Sequence, residues 1–250
     1  MSAMAPKNVK RLDTLLFEKG LAPSRARAQS LILAGLVYSG DRKLEKAGLL
    51  VDVSADIEVR GKEHPYVSRG GVKLAAALDA FQIDPAGMAA LDVGASTGGF
   101  TDCLLQRGAK SVFALDVGKG QIDWKLRSDP RVTVVEEFNA RTVSPETVAG
   151  GPFDIVVMDV SFISLELILP PMPAMTAKGG YILALVKPQF EAGRAEVGKG
   201  GIVKDPKVHK KTVGKILALG DSLGLATIGQ IESPITGAKG NKEFFIGFKK

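Results

Sequence analysis

The sequence predicts an α/β protein: a doubly wound, mostly parallel sheet ending in an antiparallel hairpin, preceded by a small α+β domain. Three observations carry that expectation. From residue 90 onward, apolar runs alternate with helix-like segments. The first run leads directly into a glycine-rich stretch, LDVGASTGGFTD (91–102). Residues 10–60, by contrast, are basic, lack strong apolar runs and follow a shorter rhythm.

The small domain is assigned to residues 1–60, a linker to 61–68 and the large domain to 69–250. In RLDTLLFEKGL, Leu12, Leu15 and Leu16 recur at helical spacing and Gly20 stops the helix. Ser24 is placed to cap a second helix with Ala28, Leu31 and Ile32 on one face and Gly35 as its stop. Arg25 and Arg27 then fall in its exposed first turn, where cations oppose the helix dipole, which suggests another use for them. The turn SGDRK and the alternating LVDVSADIEVR predict short strands. RGKEHPYVS has no periodicity and carries glycine and proline, as a linker does.

One helix, in VSRGGVKLAAALDAF, precedes the strands of the large domain. These are ALDV (90–93), SVFALD (111–116), VTVVE (132–136), DIVVMD (154–159) and YILALVK (181–187). Their unbroken apolar character implies a parallel sheet covered on both faces. ATIGQIESP and KEFFIGFK predict an antiparallel hairpin at the sheet edge.

Composition narrows the function classes. A chain of 250 residues can hold one large core and a smaller module. Its net charge of +6 favours a polyanionic partner. The single cysteine, Cys103, excludes an internal disulfide and reads as a small buried hydrophobe. No signal-peptide core precedes the first helix, which suggests a cytoplasmic protein. No window approaches the roughly 18 apolar residues of a membrane span. His64 and His209 are isolated, so no metal is expected.

The glycine loop discriminates among ligands by spacing. Gly94 and Gly99 are set as in a phosphate-binding P-loop, but Phe100 stands where that loop needs lysine. Ser96 occupies the second glycine of the dinucleotide fingerprint, which weakens that reading without removing it. What is left is D-x-G-x-x-x-G-G at the end of a first strand. At the far ends of two later strands stand Asp159 and Lys187, on the edge where open α/β sheets bind ligands. If those strands are neighbours, about 4.8 Å apart, carboxylate and ammonium can meet on one substrate hydroxyl.

Three resemblances add to this reading. RLD, GLAPSRARAQSLILAGLV and the turn before AGLLV resemble the RNA-binding fold of ribosomal small-subunit protein four. That implies that Lys10, Arg11, Arg25, Arg27 and Lys43 face phosphates, and Arg69 joins them as an expected RNA contact. The glycine loop resembles the first motif of Rossmann-like S-adenosylmethionine methyltransferases. The cofactor residues expected from it are Asp92, Gly94, Ser96, Gly98, Gly99, Phe100, Asp116, Asn139 and Asp159. Of these, Asp92 serves the cationic end, Asp116 the ribose hydroxyls and Asn139 the adenine.

The chain as a whole resembles the TlyA family, which joins that RNA-binding module to an FtsJ-like ribose 2′-O-methyltransferase. The matching motifs are VSRGGVKLAAAL, LDVGASTGGFTD, DVGKGQIDWKLRSDPRV, MDVSFISL, LVKPQFE and GNKEFF. The resemblance implies methylation of cytidine in ribosomal RNA, with ribosomal RNA or ribosomal subunits as partners. It also implies a catalytic tetrad of Lys73, Asp159, Lys187 and Glu243. In that tetrad Lys187 is the base if neutral: burial and Lys73 lower its proton affinity, while Asp159 and Glu243 raise it. The linker RGKEHPY departs from the aromatic-containing linker associated with the family.

Two smaller expectations remain. GRAEVGKGGIVKDPKVHKK is long for a plain connection and reads as an RNA-facing flap. Trp124 and Phe162 are offered for stacking on a base, with core packing as the stronger expectation for each. Two competing functions stand beside methyl transfer. One is RNA binding with a retained cofactor site and no turnover. The other is haemolysis, against which the lack of an apolar span argues.

Overall fold

A computed structural model describes residues 8–22, 24–33, 35–60 and 64–250. The chain divides into two compact units, residues 1–63 and 64–250.

In the first unit, β1 (Val9–Arg11) leads into α1 (Leu12–Glu18) and α2 (Arg25–Leu33). Four short strands follow: β2 (Val37–Ser39), β3 (Arg42–Lys43), β4 (Leu50–Asp52) and β5 (Glu58–Val59). β1 pairs antiparallel with β4, and β2 pairs with both β3 and β5. The helical spacing read from the sequence closes the core: Leu12, Leu15, Leu16, Ala28, Leu31 and Ile32 are buried together. Each large aliphatic buried this way contributes about 1.5–3 kcal/mol. Ser24 caps α2 as expected, its hydroxyl accepting from Arg27 N at 3.1 Å. β1 is unforeseen, because its residues are too few to show a period of two.

The second unit opens with α3 (Gly70–Ala80), β6 (Ala89–Val93), α4 (Gly99–Gln106) and β7 (Ser111–Leu115). It continues with α5 (Trp124–Arg127), β8 (Val132–Val135), β9 (Phe153–Met158) and α6 (Met172–Met175). The last elements are β10 (Thr176–Val186), α7 (Pro188–Glu191), α8 (Pro206–Ser222), β11 (Ala226–Glu232) and β12 (Phe244–Lys249). The sheet order is β11-β12-β10-β9-β6-β7-β8. β10, β9, β6, β7 and β8 are parallel, and β12 is antiparallel to both of its neighbours.

The unbroken apolar runs are explained by the two faces. Along β6, Leu91 and Val93 join a cluster with Val156, Met158, Ile182 and Ile216, while Ala90 joins the opposite one with Leu74, Leu104, Ile155 and Leu183. Alternate residues thus enter different cores, and neither face is left for water. The C-terminal hairpin pairs antiparallel at the sheet edge, as expected. β12 lies between β10 and β11, with Phe245, Ile246 and Phe248 buried, so β11 is the outer strand on this side and β8 on the other. Cys103 is fully buried, and burial pushes its thiol up to about 11.

Candidate active site

β6 and β9 are adjacent and β9 and β10 are adjacent, so three strand tips bring Gly94, Asp159 and Lys187 to one edge. Met158 is in register with Ala184; Asp159 is the next residue, and Lys187 lies beyond the end of β10. The condition set by the sequence, that these strands be neighbours, is met.

Two close pairs form there. Lys187 Nζ lies 2.6 Å from Asp159 Oδ1 and donates to Ser161 Oγ at 2.7 Å. Lys73, on the first turns of α3, donates from Nζ to Glu243 Oε2 at 2.6 Å, with both side chains buried. Lys73, Asp159 and Lys187 line a cavity of about 240 Å³, together with Arg69, Gly94, Ser96, Gly99 and Phe100. Glu243 sits behind Lys73, outside that lining. Arg69 Nη2 donates to Thr236 O at 3.0 Å, which ties the start of α3 to the segment before β12.

A second cavity of about 480 Å³ shares Gly94, Ser96, Asp159 and Ser161 with the first. Its walls are apolar at Leu115, Val160 and Ile168 and polar at Asp116 and Asn139. The Asp116 carboxylate accepts from Gly118 N at 2.6 Å and from Ser96 N at 2.7 Å, leaving each oxygen a further lone pair. Asn139 Oδ1 caps the turn Ala140–Thr142 by accepting from Arg141 N at 3.1 Å, so its amide Nδ2 is the remaining donor.

Asp92 and Gly98 line neither cavity and lie behind the loop. Asp92 is fully buried; Oδ2 accepts from Thr101 Oγ1 at 2.7 Å, and Oδ1 has no hydrogen-bond partner among the described residues. Burial, opposed by the Thr101 hydrogen bond, pushes this carboxyl up to about 7. Part of the glycine pattern answers the protein's own packing. A Cβ on Gly94 would stand 2.7 Å from Asp159 O, and its φ is +86°. Gly98 begins α4 in the left-handed region, φ +92°, with Leu126 where a Cβ would go.

The donor set suits S-adenosylmethionine. A largely apolar cavity with a carboxylate and an amide on its wall fits a nucleoside, and the unused oxygen of Asp92, behind the loop, adds a carboxylate that suits a sulfonium-bearing ligand through the loop and not by direct contact. No group of histidine, cysteine and carboxylate residues that could hold a metal occurs among the described residues.

In the other unit the expected phosphate contacts are not free cations. Lys10 pairs with Glu18 at 2.7 Å, and Lys43 Nζ lies 3.5 Å from Glu45. Arg11 and Arg25 both reach the buried carboxylate of Asp13, at 3.0 and 3.4 Å, while Gln29 Nε2 donates to it at 2.8 Å. The side chains of Arg11 and Arg25 remain about half exposed. Arg27 stands in the first turn of α2, as read from the sequence.

The core-packing expectation for the two aromatic residues is overturned. Trp124 and Phe162 are 76% and 91% exposed, and neither packs in a core. Trp124 is the first residue of α5, a helix too short to bury more than Leu126. Phe162 has φ 64°, and that turn carries its ring out against Phe190, 5.2 Å between centroids. The basic segment after Lys187 is tied down. Asn241 accepts from Val203 N at 3.0 Å and donates to Gly201 O at 2.9 Å, and Lys239 Nζ donates to Gly200 O at 2.9 Å. Sequence reasoning passed over Ser161 and Thr101, whose only signal was proximity to Asp159 and to the glycine loop.

Comparison with known proteins decides the family. The FtsJ-like methyltransferase profile matches residues 66–250, and the S4 domain profile matches residues 10–57. This chain belongs to the TlyA family of FtsJ-like methyltransferases. The 16S/23S rRNA (cytidine-2'-O)-methyltransferase TlyA of Mycobacterium tuberculosis is 46% identical over 94% of this chain and 88% of its own length. Hemolysin A of Brachyspira hyodysenteriae is 41% identical over 95% of this chain and 99% of its own. A solved Streptococcus thermophilus protein, named as a hemolysin, superposes with a TM-score of 0.77 at 41% identity, covering 98% of this chain and 90% of that one. S-adenosylmethionine is the cofactor of this TlyA-family methyltransferase. Among its described residues no helix is long and apolar enough to cross a membrane.

Proposed function

We propose that this protein methylates the ribose 2′-oxygen of cytidine in small- or large-subunit ribosomal RNA. The observation that carries the reading is the pairing of Lys187 with Asp159 and of Lys73 with Glu243 at one cavity that adjoins a second through Gly94 and Asp159. Cytidine and the two subunit RNAs come from the name of the M. tuberculosis relative. The S4 match and the charge of +6 suit a phosphate-rich partner, and ribosomal RNA as partner goes with a cytoplasmic setting.

Bound S-adenosylmethionine supplies a methyl group on a positively charged sulfur. The protein's task is to deliver an oxygen nucleophile. A ribose hydroxyl is a weak acid, so its proton has to leave as the oxygen attacks. Lys187, as the neutral amine, takes that proton: the O–H bond breaks as an N–H bond forms on Nζ. Asp159 then faces the new ammonium. Lys73, held by Glu243, directs positive charge towards the oxygen. Asp116 and Asn139 hold the nucleoside end of the cofactor, with Gly94, Ser96, Gly99 and Phe100 at the loop and Asp92 behind it. Lys10, Arg11, Arg25, Arg27, Lys43 and Arg69 position RNA by its phosphates.

Mass-spectrometric mapping of ribosomal RNA with and without the protein tests the reading. Loss of a ribose methylation is expected in its absence, and loss of a base methylation instead overturns it. Lys187→Ala is expected to abolish methyl transfer while leaving RNA binding intact. An inactive Lys187→Ala also disposes of the alternative of RNA binding without turnover, provided the parent protein is active in the same assay.

A further inference from the structure

The wall common to the two cavities carries a side chain that the expected tetrad does not use. Ser161 lines both, and its hydroxyl accepts from Lys187 Nζ at 2.7 Å. We propose that Ser161 is the positioning residue that aims the Lys187 amine at the ribose hydroxyl, an inference that rests on Lys187 being the proton acceptor.

The argument turns on direction. Asp159 Oδ1 is as close to Lys187 Nζ, at 2.6 Å, but that contact fails the angular requirement of a hydrogen bond. Coulomb attraction depends on distance alone, whereas a hydrogen bond fixes the line along which the donor points. Asp159 therefore supplies charge and Ser161 supplies orientation. Lysine needs such a partner, because its four-carbon stem has much rotamer freedom to lose before the nitrogen occupies one place. With one tetrahedral position of Nζ bonded to Cε and another directed at Ser161, the positions left over include the lone pair that receives the proton.

The backbone around Ser161 suits this role. Val160 is buried on one side, and on the other Phe162 takes a left-handed φ of 64°. The hydroxyl is thus presented from a turn between a buried residue and a left-handed one, two residues past Asp159, whose backbone abuts Gly94. Its own hydrogen and second lone pair remain available to groups in either cavity.

The test compares S161A and S161T with the parent enzyme and with K187A. S161A is expected to lower kcat roughly ten- to hundred-fold, the cost of releasing the amine from its line to the ribose hydroxyl, with KM for RNA within about twofold. S161T is expected to restore kcat to within about threefold, since it returns the hydroxyl. Calorimetric affinity for S-adenosylmethionine should stay within about twofold in both. Competitive acetylation of Lys187, read by mass spectrometry without cofactor or RNA, should be faster in S161A than in the parent and in S161T. Parent-like kcat in S161A, equal impairment in S161T, or a fall in cofactor affinity that matches the fall in kcat would each overturn the assignment. Full activity in K187A sinks the reading of Lys187 itself, whereas an inactive K187A beside an unimpaired S161A sinks only the role of Ser161.

Discussion

Lys73 and Glu243 are 170 positions apart in the chain, yet Nζ and Oε2 meet at 2.6 Å with both side chains buried. Removing one partner of such a pair leaves a charge stranded out of water, which costs about 3–5 kcal/mol, whereas replacing both with apolar groups is often neutral. Glu243→Ala is therefore expected to lower the thermal midpoint sharply and to abolish methyl transfer. A Lys73→Met, Glu243→Leu double variant should recover much of the stability and none of the activity. Calorimetry and a methyl-transfer assay on the same preparations separate the two effects.

Gly94 and Asp159 are joined through the backbone, since a Cβ on the former would stand 2.7 Å from the carbonyl of the latter. Gly94→Ala adds both that clash and a strained positive φ, at a cost of about 1–3 kcal/mol. Denaturant unfolding should register the loss, and cofactor affinity should fall with it. An unchanged midpoint would mean that the two strand tips are free to part.

Asp92 gives a pH dependence with a definite sign. Burial raises its carboxyl from 3.8 to about 7, so the folded protein holds the proton more tightly than the unfolded chain. Stability from this group is fully present below the unfolded value and is lost as pH rises through about 7. Asp92→Asn should flatten the denaturant midpoint across that window. Binding of the cationic cofactor should run the other way, strengthening from about pH 6 to about pH 8 in the parent and changing little in Asp92→Asn.

Asp13 sets the opposite case in the S4 unit. The Arg11 hydrogen bonds hold its carboxyl well below the usual range, opposed by burial and helped by Gln29. Its contribution is present above the unfolded carboxyl value and is lost as pH falls towards the lower folded one. Asp13→Ala is expected to destabilise this unit at neutral pH and progressively less as the pH falls. It should also weaken RNA binding, because Arg11 and Arg25 lose the group that holds them side by side. Filter binding at several salt concentrations would show the change.

Trp124 is 76% exposed, so Trp124→Ala should shift stability by less than about 0.5 kcal/mol. A marked loss of RNA affinity without such a shift would assign the ring to the substrate.

The fold was legible wherever a physical period ran long enough. Apolar runs end at Asp159 and Lys187, so their meeting at one sheet edge followed from topology alone. Lys73 and Glu243 carried no such signal: each reads as an isolated charge, and only resemblance linked them. Ser161 and the pairing of Arg11 and Arg25 with Asp13 were not legible at all, because they depend on side-chain directions that no spacing encodes. Trp124 and Phe162 misled for a related reason. Aromatic rings are usually buried, and neither the shortness of α5 nor the left-handed turn at Phe162 shows in composition.

The position of β12 in the sheet has a consequence for biosynthesis. β11 is synthesised first but has no partner until β12 slides between it and β10. A nascent chain that has emerged only through α8 already holds the glycine loop, Asp159 and Lys187, but it lacks Glu243 and leaves β10 with an open side. Pairing of β12 with β10 thus completes the sheet and brings Glu243 to Lys73 in the same step.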